Sequence, residues 1–112
     1  MPTPPARPSA EEALLVERLG SDETGESMRA LYRLYGGELY GFTLNALGDR
    51  GAAEEIVQEV FLRAWRHAGR YDPERGAVRT WLYQIARNAI IDSRRRAAIR
   101  PGLPQHDSVI EA

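Results

Sequence analysis

The residues Val78–Arg96, VRTWLYQIARNAIIDSRRR, fit one backbone periodicity. Val78, Trp81, Leu82, Ile85 and Ala89 fall at i, i+3, i+4, i+7 and i+11, the spacing of one face of an amphipathic helix. At about 100° per residue, the opposite arc collects Thr80, Gln84, Arg87, Asn88, Ile91 and Arg95. That arc carries amide and guanidinium donors in place of the usual Glu/Lys mixture. The run then ends in Arg94-Arg95-Arg96; cations suit a helix C-terminus, but three in a row exceed what a cap needs. A helix of this kind packs on one side and meets something anionic on the other.

The rest of the chain keeps the same period, and nowhere does it alternate like a strand. The fold class is therefore all-α, a compact bundle of about four helices. Residues 1–8 hold four prolines and few apolar groups, and are expected to form a disordered arm. The helical domain should span 9–100. Ser9 and Glu12 have the spacing of a capping box, and a short helix follows through Leu19 with Leu14, Leu15, Val16 and Leu19 available for burial. Gly20 is the expected stop.

A second helix is expected over Glu26–Leu47, with Met28, Leu31, Leu34 or Tyr35, Leu39 and Phe42 inward. Gly36-Gly37 interrupts its pattern and marks either a kink or a close approach of another helix. Gly48 ends it, and Asp49 can cap the third helix, expected over Gly51–Ala68. That helix has an apolar face of Ile56, Val57, Val60, Phe61, Ala64 and Trp65, with Glu54, Glu55, Gln58, Glu59, Arg63 and Arg66 opposite. Gly69–Ala77, GRYDPERGA, reads as a loop carrying one large aromatic, Tyr71, among Arg70, Arg75 and Arg79. Pro101-Gly102 breaks the last helix, and 101–112 read as the start of a linker.

Composition excludes several function classes. The chain has no cysteine, and its two histidines, His67 and His106, are far apart, so neither a disulfide framework nor a metal centre is expected. No apolar run approaches the roughly 18 residues of a bilayer span, and the N-terminus lacks a signal-peptide core. The expectation is a cytoplasmic protein without membrane insertion. Nothing pairs a nucleophile with a base, and no Gly-rich phosphate motif precedes a helix, so no enzyme, catalytic residue or cofactor is expected.

Charge is segregated along the chain. Residues 1–62 carry five arginines against eleven acids, whereas residues 63–112 carry ten arginines against five acids. Every basic residue apart from the histidines is arginine. This distribution fits an acidic surface at one end of the chain and an anion-binding surface at the other.

Two spaced motifs carry a family resemblance. One is Glu54-Glu55-Ile56-Val57-Gln58-Glu59-Val60-Phe61 followed by Ala64-Trp65; the other is Trp81-Leu82, Ile85-Ala86-Arg87-Asn88, Asp92 and Arg95-Arg96. Together with the loop between them they resemble region 2 of bacterial RNA polymerase sigma factors, in particular the extracytoplasmic-function (ECF) group. The resemblance implies a transcription initiation factor domain. Its third helix would dock on the clamp coiled coil of the largest β-type subunit of core RNA polymerase through Glu54, Glu55, Gln58, Glu59, Leu62 and Arg63.

The loop and last helix would recognise and help open the promoter −10 element through Tyr71, Arg75, Arg79, Thr80, Trp81, Gln84, Arg87, Asn88, Arg94 and Arg95. A base flipped from the stack needs an aromatic wall and edge-reading hydrogen bonds. Tyr71 either stacks on such a base or packs the loop; Asn88 either reads a base or bonds backbone; Trp81 is either a strand-separating wedge or core. Arg87, Arg94 and Arg95 would hold phosphates. Asp92 repels phosphate and is expected to cap or to pair with Arg95 or Arg96. Arg96 falls toward the core side or past the helix end, and Ile91 has no account from DNA alone. The resemblance also implies an anti-sigma partner, and a −35-reading domain beyond Ala112. The competing reading is a helical protein-interaction module that binds an anti-sigma or adaptor protein without DNA.

Overall fold

A computed structural model describes residues 10–99, which form four α-helices and two short 3₁₀ turns. These are α1 (Ala10–Arg18), α2 (Glu26–Leu47), α3 (Arg50–Arg66) and α4 (Val78–Ala98), with the 3₁₀ turns Ala68–Arg70 and Pro73–Arg75 between α3 and α4. The bundle is all-α, as the periodicity requires. Only Gly48 and Asp49 separate α2 from α3, so the two helices lie antiparallel and share the most extensive contact in the molecule.

Local chemistry sets the ends. Gly48 takes φ 72°, and its N–H closes on the Leu44 carbonyl. Asp49 stays extended, and its carboxylate accepts from the Ala52 N–H at 2.7 Å, which starts α3. The start of α2 is capped from a distance: Gly25 at the N-cap has no side chain, and Asp22 accepts from both the N–H and the hydroxyl of Ser27 at 2.8 Å. Gly20 does not adopt a left-handed conformation; α1 instead ends at Arg18 in tight turns, with Ser21 N–H bonded to the Arg18 carbonyl. Ser9, the expected cap of α1, lies outside the described residues. Glu12 accepts a hydrogen bond from the Tyr35 hydroxyl and so ties α1 to α2.

The core is built from one stripe of each helix. Val16, Leu31, Leu39, Val60, Val78 and Leu82 are fully buried, with Ile56, Val57, Phe61, Ala86 and Ile90 around them. Each large aliphatic contributes roughly 1.5–3 kcal/mol by leaving water. Tyr35 turns inward while Leu34 is half exposed, which settles that pair.

Three expectations about packing are corrected here. Trp65 is not part of the core; it is 50% exposed, because Phe61 and Ala64 already fill the α2-facing stripe of α3. Helix α2 runs through Gly36-Gly37 without a break. Gly36 makes room for the ring of Tyr32 one turn earlier, since a Cβ there would come within 3.0–3.1 Å of the ring carbons, whereas Gly37 faces open space. Helix α3 stops at Arg66, where His67 N–H bonds the Arg63 carbonyl and the chain tightens into the 3₁₀ turn at Ala68–Arg70.

Candidate nucleic-acid and protein interfaces

The loop after α3 and the first turns of α4 form one structural unit. The 3₁₀ turn Pro73–Arg75 is capped by Asp72, whose carboxylate accepts from the Glu74 N–H at 3.0 Å. Gly76 follows at φ 151°, and Val78 plunges into the core to start α4. The Tyr71 hydroxyl donates to the Gly76 carbonyl at 2.9 Å, and its ring lies 5.1 Å from that of Trp81. Burial raises the Tyr71 hydroxyl above its ordinary pKa, with the Glu12 and Asp72 carboxylates adding to the effect, so it remains a donor.

This unit encloses a cleft of about 130 Å³. Tyr71 and Trp81 provide its aromatic side, and Arg70, Arg75, Thr80 and Gln84 its polar side, with Asp72 at the edge. Arg75, Thr80 and Gln84 are exposed around it. Asn88 is exposed one turn further along α4, outside the cleft, so Gln84 and not Asn88 joins the loop. The whole predicted polar arc is on the surface: Thr80, Gln84, Arg87, Asn88, Ile91 and Arg95 are all exposed.

The arginines of this surface do not all have the same surroundings. Arg79 donates from Nε to Glu38 of α2 at 2.8 Å and lies 5.0 Å above the ring of Tyr83, whose hydroxyl donates to the same carboxylate oxygen at 2.9 Å. The Glu38 carboxylate raises the pKa of Arg79. Arg94 donates to the Ala46 carbonyl at 2.8 Å. Arg96 lies inside α4 and is exposed, not on the core side or past the helix end as expected. Asp92 pairs with Arg63 of α3 at 3.0 Å, not with Arg95 or Arg96. At i+3 and i+4 those two lie one turn along the same helix, while Arg63 faces Asp92 across the α3–α4 contact.

A second surface lies on α2 and α3. Glu54, Glu55, Gln58 and Leu62 are exposed on α3, whereas Glu59 and Arg63 are partly buried and bonded to each other at 2.9 Å. Beside them opens an apolar groove of about 610 Å³, with Met28, Tyr32, Phe61 and Leu62 as its walls and Arg29, Arg33 and Gln58 at its rim. The contribution of α2 to this groove, and the role of Glu38, are missing from the sequence reading. Tyr32, an aromatic outside the inward positions of α2, is a signal for the groove that the amino-acid pattern does offer. Glu38 gave none, because its partners are 41 and 45 residues away.

An all-α domain with an apolar groove rimmed by Arg29, Arg33 and Gln58 on one side and an aromatic loop beside an arginine-bearing helix on another has the surfaces of a binding domain. The chain belongs to the Sigma-70 region 2 family, which matches residues 31–99. It is 44% identical over 73 residues to the ECF RNA polymerase sigma factor SigL of Mycobacterium tuberculosis, a match covering 65% of this chain and 41% of that protein. It is 42% identical over 62 residues to the ECF RNA polymerase sigma factor SigM of Bacillus subtilis, covering 55% and 37% respectively. The chain thus spans about two fifths of the length of these curated relatives. Its fold matches an engineered region 2 of sigmaE, solved by NMR in complex with GTAAAA, with a TM-score of 0.70, 26% identity and coverage of 85% of this chain and 99% of that one. Among the described residues, no helix is long and apolar enough to cross a membrane.

Proposed function

We propose that this domain acts in transcription initiation as the part of an ECF sigma factor that joins core RNA polymerase to the opened promoter −10 element. The observation that carries the reading is the cleft between the loop and α4, where aromatic rings and hydrogen-bonding side chains share one opening beside exposed arginines. A single strand offers an unstacked base to such a cleft, and its phosphates to the arginines. In this reading Trp81 and Tyr71 shape the base site, Thr80 and Gln84 read the base edge, and Asn88 contacts the next base along the helix. Arg75, Arg87 and Arg95 hold backbone. The similarity in fold to an engineered sigmaE region 2 solved in complex with GTAAAA supports a nucleic-acid ligand of that kind.

The α2–α3 side is proposed as the contact for the polymerase clamp helices, through Glu54, Glu55, Gln58 and Leu62. Its exposed apolar groove supports a protein partner there, because surface grooves of this kind typically mark protein contacts. An anti-sigma protein is the expected regulatory partner. The domain has no chemistry to perform; the polymerase supplies that.

The test uses a short fluorescent single strand carrying GTAAAA, its duplex, and a scrambled single strand. The expected order is tight, weak and intermediate binding, with Gln84→Ala narrowing the gap between the two single strands. Equal binding of all three by the parent chain would remove the base-reading role. Charge reversal at Glu54 and Glu55 should abolish capture of clamp helices and leave strand binding intact.

A further inference from the structure

Five arginines of α4 are exposed, and four of them, Arg79, Arg87, Arg94 and Arg95, fall into two chemically distinct pairs. Arg79 and Arg94 sit near the two ends of the helix, and both reach α2. Arg79 donates to Glu38 at 2.8 Å, stacks over Tyr83, and shares the Glu38 oxygen with the Tyr83 hydroxyl, so three side chains close into one cluster. Arg94 donates at 2.8 Å to the carbonyl of Ala46, in the last turn of α2. That carbonyl is among the terminal acceptors left over at a helix end, and the negative end of the dipole favours a cation there. The last turn of α2 has no basic residue of its own. Arg94 supplies the missing one from another helix.

The remaining pair is different. Arg87 and Arg95 are exposed, and their side chains have no hydrogen bond or ion pair among the described residues. The order of the links, Arg79 to Glu38 and Arg94 to Ala46, also shows that α4 runs in the same sense as α2 and is fastened at both ends.

We infer that Arg79 and Arg94 are positioning residues that fasten α4 to α2, and that only Arg87 and Arg95 of these four spend their charge on phosphates. The inference rests on the reading of α4 as a single-strand surface. Glu38 belongs to the same device: it is an acid placed next to a phosphate-binding surface, where it would otherwise repel the ligand, and it fixes the start of the recognition helix.

Salt dependence separates the two roles. Each phosphate neutralised on a single strand contributes about 0.7 to the slope of log K against log salt. Binding of the GTAAAA single strand to the full chain is measured over about 50–200 mM salt, together with thermal unfolding without DNA. Arg87→Ala and Arg95→Ala should each flatten the slope by about 0.7 and leave the melting midpoint unchanged. Arg79→Ala and Arg94→Ala should keep the parent slope and lower the midpoint. Glu38→Gln should weaken strand binding as Arg79→Ala does, and the double variant should be no weaker than either single one.

The assignment is overturned if Arg79→Ala or Arg94→Ala flattens the slope with an unchanged midpoint. It is equally overturned if Glu38→Gln tightens binding, the result expected when an acid merely repels DNA. If the parent chain binds no single strand at all, the strand-surface reading fails by itself; the midpoints then decide whether Arg79 and Arg94 fasten α4.

Discussion

Arg63 of α3 reaches Asp92 of α4 at 3.0 Å, while its Nε donates to Glu59 one turn back at 2.9 Å. One guanidinium therefore joins the acidic surface of α3 to the helix that carries the arginines. The Glu59 hydrogen bond is the main cause of its raised pKa; burial opposes it, and the Asp92 hydrogen bond adds to it.

This link should be measurable as a coupling. The Asp92 side chain is 41% exposed, so solvent screens the pair and holds its worth to about 0.2–1 kcal/mol. Denaturant midpoints of Arg63→Ala, Asp92→Ala and the double variant should give a positive coupling in that range, and strict additivity would remove the link. In polymerase capture, Arg63→Ala should cost less than Glu55→Lys, because Arg63 is committed inside the protein and Glu55 is exposed.

Asp22 should set the acid limb of stability. Its carboxylate accepts from the Thr24 hydroxyl at 2.6 Å, from the Ser27 N–H and hydroxyl at 2.8 Å, and from the Thr24 N–H at 3.0 Å. These donors, led by the Thr24 hydroxyl and the Ser27 N–H, hold its pKa far below the usual carboxylate range. A depressed folded-state pKa stabilises the fold above the unfolded value of about 3.9, and that contribution is lost as pH falls below it. Asp22→Asn should therefore melt below the parent at neutral pH, and the difference should shrink as pH drops through about 4. A gap that stays constant with pH would rule out the charged cap.

Much of this fold was legible because helical spacing reports burial directly. The bounds of α2 and the capping residues Gly48 and Asp49 follow from sequence, and the entire exposed arc of α4 was predictable from angle alone. What angle does not give is which helix fills a stripe first, or which distant side chain meets a charge. Trp65 lies at the margin of the α3 stripe, and α2 packs on Phe61 instead. Asp92 finds Arg63, and Arg79 finds Glu38, through approaches that only the packed bundle creates. Ile91 is exposed beside Arg87 and Arg95, and no contact in the structure explains it.

Trp65 gives a direct check on that distinction. At 50% exposure it should tolerate Trp65→Ala with a change within about 0.5 kcal/mol. Leu82 is fully buried between the helices, and Leu82→Ala should cost about 2–5 kcal/mol. Comparable losses at the two positions in equilibrium unfolding would contradict the observed core.

The loop before α4 offers the sharpest test of how the cleft works. Tyr71 spends its hydroxyl on the Gly76 carbonyl and sets its ring against Trp81, so it acts first as a brace. Gly76 is held at φ 151°, a backbone conformation that costs a non-glycine residue about 1–3 kcal/mol. A methyl at Gly76 would meet Thr80 Cβ only at 3.9 Å, an ordinary contact, so strain rather than crowding is what Gly76→Ala introduces. Tyr71→Phe keeps the ring and removes a hydrogen bond worth about 0.5–1.5 kcal/mol. If the ring alone met a base, Tyr71→Phe would bind the single strand as tightly as the parent. With Tyr71 as the brace that shapes the cleft, Tyr71→Phe and Gly76→Ala should both weaken GTAAAA binding while the salt slope stays constant, because neither variant removes a phosphate contact.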